Sequence, residues 1–184
     1  MVDRIALQTP RLRLRSWHDD DLDLLAQLCA DPEVMRYDPA LWSRDHCAAL
    51  MVRNRLHMLR SGFGLWALER KDNGVFIGYC GLLGSDLPLP DPAVELRWAV
   101  ACEHWGQGLV HEAAEAALDC AFGALGLNEV VACASQINEP ARQLLEGLGM
   151  RLEQSRAFGH PSLPAGHPLH VRLLYRLRRN DWRQ

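Results

Sequence analysis

The stretch Glu95-Leu96-Arg97-Trp98-Ala99-Val100-Ala101-Cys102-Glu103-His104-Trp105-Gly106-Gln107-Gly108-Leu109-Val110-His111-Glu112 decides how this chain is read. Its first part alternates. Val94, Leu96, Trp98 and Val100 share one face of a strand, and Glu95 and Arg97 share the other. A loop with Gly106 and Gly108 follows. Leu109 then opens an alanine-rich helical run to Leu125, stopped by Gly126. Strand, glycine loop and helix in that order suit an anionic ligand. Glycines let the backbone come close, and the first free N–H groups of a helix, with its dipole, attract phosphate. Two nucleotide motifs fail on inspection. A P-loop needs Gly-Lys-Ser/Thr, which is absent, and the dinucleotide fingerprint needs a glycine where His111 stands.

Working outward, Leu7 to Trp17 sets Leu12 and Leu14 between Arg11, Arg13 and Arg15, and reads as a first strand. His18 to Asp21 supplies a helix cap and first-turn acids before the stripe Leu22, Leu24, Leu25, Leu28. A second helix is expected from Ser43 to near Arg60, ended by Gly62. Strands over 63–70 and 75–83 flank Asn73-Gly74, a tight-turn signal, and should form a hairpin. Gly84 to Pro92 is a loop. After the central helix come a strand over Glu129 to Ser135 and a helix capped by Asn138 and closed at Gly149. Two last strands, 150–158 and 170–178, enclose the loop Gly159 to Leu169. The order βαα, ββ, β, αβαββ makes an α/β (α+β) chain with a mixed sheet.

The chain has 184 residues, 48% apolar and 23% charged, and carries a formal charge of −3. These are the proportions of one soluble globular domain, expected here to span 1–184. No apolar run reaches the ~18 residues of a membrane span. Met1 to Ile5 lacks the apolar stretch of a signal peptide, so a cytoplasmic location is expected. The slight acidity argues against general nucleic-acid binding. Arg172, Arg176, Arg178, Arg179 and Arg183 read as a solvated strand face and tail, with a local anion or partner contact as the alternative. The six cysteines form no C-x-x-C pair and read as small buried hydrophobes.

Trp105-Gly106-Gln107-Gly108-Leu109-Val110-His111-Glu112-Ala113 resembles the acetyl-CoA pyrophosphate loop of the GNAT N-acetyltransferases, closest to the RimJ/RimL-like branch that acetylates ribosomal-protein N-termini. Thr9-Pro10-Arg11-Leu12-Arg13-Leu14-Arg15 resembles the opening strand of that branch. Asn138 to Met150 resembles its asparagine-led helix and Leu-Gly ending. The resemblance implies a GNAT-like acyl-CoA N-acyltransferase fold: a mixed, mostly antiparallel sheet of about six to seven strands with about four helices.

It also implies acetyl-CoA as co-substrate, no metal, and direct transfer to a primary amine, on a protein N-terminus or a small molecule. Trp105, Gly106, Gln107, Gly108, Leu109, Val110 and His111 would hold the pyrophosphate. Backbone N–H groups of Trp98, Ala99 and Val100 would serve the thioester, Asn138 would contact CoA, and Glu95 would deprotonate the amine. The plainer readings stand beside these: Glu95 as a polar-face carboxylate paired with Arg97, and Asn138 as an N-cap. Two departures matter. Val110 replaces a small residue, and Leu144-Leu145 and Ala141 occupy the places where a general acid tyrosine or a serine would be, so no general acid carries over.

His111 and Glu112 with Glu115 miss the His-Glu-x-x-His zinc spacing. His160, His167 and His170 read as solvated loop residues. Trp42 and Trp66 could line a substrate cleft, with core packing the first reading for Trp66. The late sheet edge and loops are expected to carry either a homodimer contact or the encounter with the acceptor. The competing classes are a CoA-binding sensor without transferase activity and an RNA-associated factor using the late arginines.

Overall fold

The computed structural model describes residues 6–89 and 91–183, and at residues 155 and 156 the backbone alone. Met1 to Ile5, and Pro90 of the proline loop, lie outside the described residues. The elements are β1 (Leu7–Gln8), β2 (Leu12–Arg15), α1 (Asp21–Ala30), α2 (Arg44–Ser61), β3 (Leu65–Arg70), β4 (Phe76–Gly84), β5 (Val94–Val100), α3 (Leu109–Phe122), β6 (Glu129–Ser135), α4 (Glu139–Gly147), β7 (Arg151–Gly159) and β8 (Val171–Arg178). The eight-stranded sheet has the order β1-β2-β3-β4-β5-β6-β8-β7. β5 runs parallel to β6, while β2 with β1 and β3, β3 with β4, and β8 with β6 and β7 pair antiparallel. The sheet is thus mixed and mostly antiparallel, as expected, with one strand more. Residues 7–17 form two strands rather than one, with Leu7 opposite Leu14. The reversal lies at Thr9, whose amide donates to the Leu12 carbonyl at 3.0 Å and whose Oγ1 accepts the Leu12 amide at 2.9 Å.

The backbone groups into two compact units: residues up to 36 with 40–83 and 96–117, and residues 37–39 with 84–95 and 118–184. In the first, Leu12, Leu14, Leu65, Trp66 and Leu68 are essentially inaccessible, so Trp66 is core. Trp42 is half-buried and stacks on His46 with 4.5 Å between ring centroids. Ser43 caps α2 by accepting the His46 amide at 3.2 Å, and Gly62 ends it in the left-handed region. The expected cap of α1 takes another form. The Asp21 carboxylate, 2% exposed, accepts the His18 amide at 2.7 Å and both Nη groups of Arg15. Burial pushes the Asp21 carboxyl up, but these bonds outweigh it and hold it below the usual range.

In the second unit, β6 and β8 alternate cleanly. Val130, Ala132 and Ala134 oppose Leu177, Tyr175 and Leu173 on one face. Glu129, Val131, Cys133 and Ser135 oppose Arg178, Arg176, Leu174 and Arg172 on the other. Arg178, Arg179 and Arg183 are exposed, as the reading of a solvated face and tail has it, but Arg176 departs from that reading. Arg176 is only 16% exposed, clamped between Glu129 and Glu153, because carboxylates on both neighbouring strands converge on it. The tail arginines are engaged too, Arg179 with the Leu127 carbonyl and Arg183 with Asp119. Cys29, Cys47, Cys80 and Cys120 are buried, and burial pushes the Cys80 thiol up to about 12.

Asn54 joins α2 to β3. Its Oδ1 accepts the Leu65 amide at 2.7 Å and its Nδ2 donates to the Leu65 carbonyl at 2.9 Å, with the side chain 1% exposed. The indole of Trp17 also donates to that carbonyl, at 2.6 Å. Asn54→Ala therefore orphans the Leu65 amide but not the carbonyl. We expect a loss of about 2 kcal/mol in urea unfolding, the cost of one buried donor left unmade plus a small void.

Candidate active site

The first unit carries the loop picked out from the sequence. After β5, Ala101 leads into a 3₁₀ turn over Cys102–His104, and Trp105 to Gly108 connect it to α3. Trp105 is 47% exposed, and its indole donates to the Val100 carbonyl at 2.7 Å, fixing the loop to the end of its own strand. Gln107 Nε2 donates to the Glu103 carbonyl at 2.9 Å. Gly106 and Gly108 have φ of +70° and +73°, a left-handed conformation that side chains disfavour. A Cβ on Gly106 would meet open space, so the backbone there is approachable from outside. The first bond of α3 runs from the Glu112 amide to the Gly108 carbonyl at 3.0 Å. The amides of the preceding residues lie ahead of it, the position that suits an anion. Leu109 is buried and anchors the helix, while Val110 and His111 are half-buried in its first turn. Trp98 and Ala99 are half-buried on β5.

A network that the sequence reading missed braces this loop. The Glu112 carboxylate accepts the Thr9 hydroxyl, the Arg11 backbone amide at 2.8 Å and Arg11 Nε at 2.6 Å. Arg11 Nη1 donates to the Gln107 carbonyl at 2.8 Å, and a Cβ placed on Gly108 would lie 3.5 Å from Arg11 Nη2. Lys71 Nζ donates to the Thr9 carbonyl at 2.6 Å, and Arg70 reaches the Gln107 side chain at 3.4 Å. The turn before β2 and the phosphate-type loop are thus one hydrogen-bonded body. Its sequence signal was an acid in the first turn of a helix. The partners lie about a hundred residues upstream, where spacing says nothing.

The second unit carries the other two candidates. Glu95, the second residue of β5, stands opposite Val131 of β6 and is 6% exposed. Ser85 Oγ donates to its Oε2 at 3.3 Å. Asn138 accepts the Ala141 amide at 3.1 Å and is the N-cap of α4. Leu145 in that helix is fully buried. Tyr175 of β8 sends its hydroxyl to the same helix, donating to Glu146 at 3.1 Å and accepting from Arg142 at 3.3 Å. Burial and then Glu146 keep it protonated, and its role there is to tie α4 to β8. The loop histidines are not simply solvated. His160 and His167 accept backbone amides through Nδ1, from Ser162 at 3.2 Å and Leu169 at 3.1 Å, and brace the turns of 159–169. Among the described residues no cluster of His, Cys, Asp or Glu could hold a metal, and no helix is long and apolar enough to cross a membrane.

Fold and loop together define a class, and comparison with known proteins gives it a name. Residues 11–151 match the model of the acetyltransferase (GNAT) domain, and the chain belongs to that family. It is therefore an acetyl-CoA-dependent acyltransferase. It is 30% identical over 156 residues to the uncharacterized protein YkkB of Bacillus subtilis, covering 84% of this chain and 90% of that one. An acetyltransferase from Agrobacterium tumefaciens superposes with a TM-score of 0.76 at 25% identity, over 95% and 94% of the two chains. RimL, a ribosomal L7/L12 alpha-N-protein acetyltransferase solved with coenzyme A, superposes at 0.75 with 14% identity, over 95% and 98%, a likeness of fold alone.

The Glu112 carboxyl illustrates what the brace contributes. Burial raises its pKa, but the bonds from Thr9 and Arg11 outweigh this and hold it below the usual range. A depressed folded pKa stabilises above the unfolded value and loses that contribution as pH falls. Glu112→Gln should cost about 1.5–3 kcal/mol at pH 7, the scale of a charged hydrogen bond. The difference from the parent should shrink below about pH 4, as measured by urea unfolding at a series of pH values.

Proposed function

We propose that the chain transfers acetyl from acetyl-CoA directly to an α-amine, with a protein N-terminus as the acceptor favoured over a small-molecule amine, in the manner of the RimJ/RimL-like branch. The observation that carries the reading is the buried carboxylate of Glu95 on a strand that leads directly into the glycine loop. A carboxylate this sheltered, hydrogen-bonded to Ser85, is fixed in place and shielded from bulk water. In the proposed mechanism the pyrophosphate rests on the amides from Gly106 to His111, with Arg11 beside Gly108 adding positive charge. Asn138 and the backbone of Trp98 to Val100 meet the pantetheine arm and the thioester oxygen. Donors aimed where negative charge develops lower the barrier.

The attacking amine must be neutral. At pH 7 that costs roughly 1 kcal/mol for an α-amine of pKa 7.7–8.0, against roughly 4.6 for a lysine side chain near 10.4. One carboxylate, acting directly or through a water, suits the first task. The amine nitrogen bonds to the thioester carbon, the C–S bond breaks, and the amine proton passes to Glu95.

Two measurements test this reading. Gly108→Asp places bulk and negative charge at a left-handed position of the loop, and should weaken acetyl-CoA binding in calorimetry at least tenfold; equal affinity would remove the loop from the cofactor site. Glu95→Gln keeps the size and removes the proton acceptor. It should lower kcat/KM by about 10²–10⁴-fold at pH 7, with the deficit narrowing at high pH and acetyl-CoA affinity little changed. Full activity at pH 7 would end the assignment of Glu95, and faster acetylation of lysine side chains than of α-amines would end that of the acceptor.

A further inference from the structure

The second unit holds polar side chains that neither the cofactor nor the proton transfer uses. Residues directly opposite across paired strands share a face of the sheet. Glu95 stands opposite Val131, and four residues further along β6 Ser135 stands opposite Arg172, so Glu95, Ser135 and Arg172 lie on one face. Ser135 is 1% exposed, and its hydroxyl has no hydrogen-bond partner among the described residues. Arg172 donates from Nε to Cys133 Sγ at 3.4 Å, and its two Nη groups have no partner among the described residues. Asp38 comes from the short segment 37–39 that packs with this unit, within electrostatic reach of Arg172 and His160. It is half-buried and forms no hydrogen bond or ion pair among the described residues. Burial raises its pKa, and the two cations only partly offset that.

A half-buried carboxylate and a half-buried guanidinium thus stand near each other but out of contact, with acceptor and donors unused. A neutral ligand group that has one donor and one acceptor satisfies both without adding charge. A peptide amide is such a group. Its N–H can donate to Asp38, and its carbonyl can accept from the Nη groups of Arg172 and from the Ser135 hydroxyl.

Distance narrows the ligand further. Four residues of strand are about 13 Å, and two strand spacings are about 10 Å, so the Cα atoms of Glu95 and Arg172 lie about 16 Å apart. Side chains close part of that span. The carboxylate of a free α-amino acid is bonded to the carbon that bears its amine, and cannot reach from one to the other. A polyamine offers nothing for Arg172 to donate to. An extended peptide advances about 3.3 Å per residue, and places an amide there two or three residues beyond its free α-amine.

We propose that Asp38, Arg172 and Ser135 form a subsite for a backbone amide of a peptide acceptor, two or three residues downstream of the acetylated α-amine; this rests on the α-amine reading with Glu95 above. The test is a series of C-terminally amidated peptides of one to four residues, all with the same free N-terminal residue, assayed for kcat/KM at saturating acetyl-CoA. In the parent, kcat/KM should rise about tenfold as the second or third residue is added. In Arg172→Met and in Asp38→Asn that rise should fall towards one, and Arg172→Lys should restore part of it. A flat series in the parent, or variants that depress every length equally and keep the rise, would overturn the subsite and leave α-amine acetylation standing. If no member of the series is acetylated while lysine or polyamine acceptors are, the α-amine reading and the subsite fall together. Calorimetry with acetyl-CoA verifies that each variant is folded.

Discussion

The carboxylate of Glu112 is the point on which the glycine loop and the first turn of α3 depend. It sits in the first turn of α3 and collects the Thr9 hydroxyl, the Arg11 amide and the Arg11 guanidinium. The guanidinium is thereby aimed at the Gln107 carbonyl. A loop with two residues in the left-handed region is otherwise costly to hold, because glycine loses more chain entropy than any other residue on ordering. Fastening the carbonyl between the two glycines to a side chain, itself fastened to the following helix, removes most of that freedom before any ligand arrives. A preformed anion site binds more tightly for the same contacts, since less ordering remains to be done on binding. A fifth bond, from Lys71 to the Thr9 carbonyl, extends the same logic to the turn after β3.

What could be read from the sequence follows from how local each feature is. The β5-loop-α3 segment was legible because its alternation, its glycines and its helix composition all fall within about twenty consecutive residues, and local periodicity is the strongest single-sequence signal. The Asn73-Gly74 hairpin and the caps at Ser43 and Asn138 were legible for the same reason. The hairpin at Thr9 was not. Its alternation continues through the turn, and the reversal depends on a hydroxyl that bonds the Leu12 amide. The burial of Arg176 was also hidden. Period-two alternation assigns residues to two faces, but says nothing of whether neighbouring strands bring carboxylates to the polar one. Glu129 and Glu153 do, and so an arginine expected in solvent is a half-buried cation between two acids.

Site chemistry divides along the same line. The residues proposed for acetyl-CoA, Asn138 apart, fall within one short stretch, and a resemblance could locate them. Asp38, Ser135, His160 and Arg172 come from four separate segments that only the fold gathers into one unit. No spacing rule relates them. The acceptor subsite proposed above is made of this second kind of residue, and one fold can carry different sites of that kind.

The lack of an evident general acid fits the energetics of the proposed reaction. Leu144 and Leu145 stand where a tyrosine would be expected, and the hydroxyl of Tyr175 is committed to Glu146 and Arg142. A thiol of ordinary pKa near 8.5 leaves unprotonated at pH 7 at a cost of roughly 2 kcal/mol, and neutralising an α-amine adds roughly 1. Holding amine and thioester in a productive orientation is worth about 7–11 kcal/mol, which exceeds both together. With a lysine side chain the neutralisation term alone rises to roughly 4.6 kcal/mol, about half of the orientational advantage. An enzyme without a proton donor for its leaving group therefore gains most from an acceptor whose amine is already close to neutral. It gains again from a second point of attachment that holds the acceptor in line. In the proposed reaction the buried carboxylate of Glu95 and the guanidinium of Arg172, on one face of one sheet, would serve these two requirements.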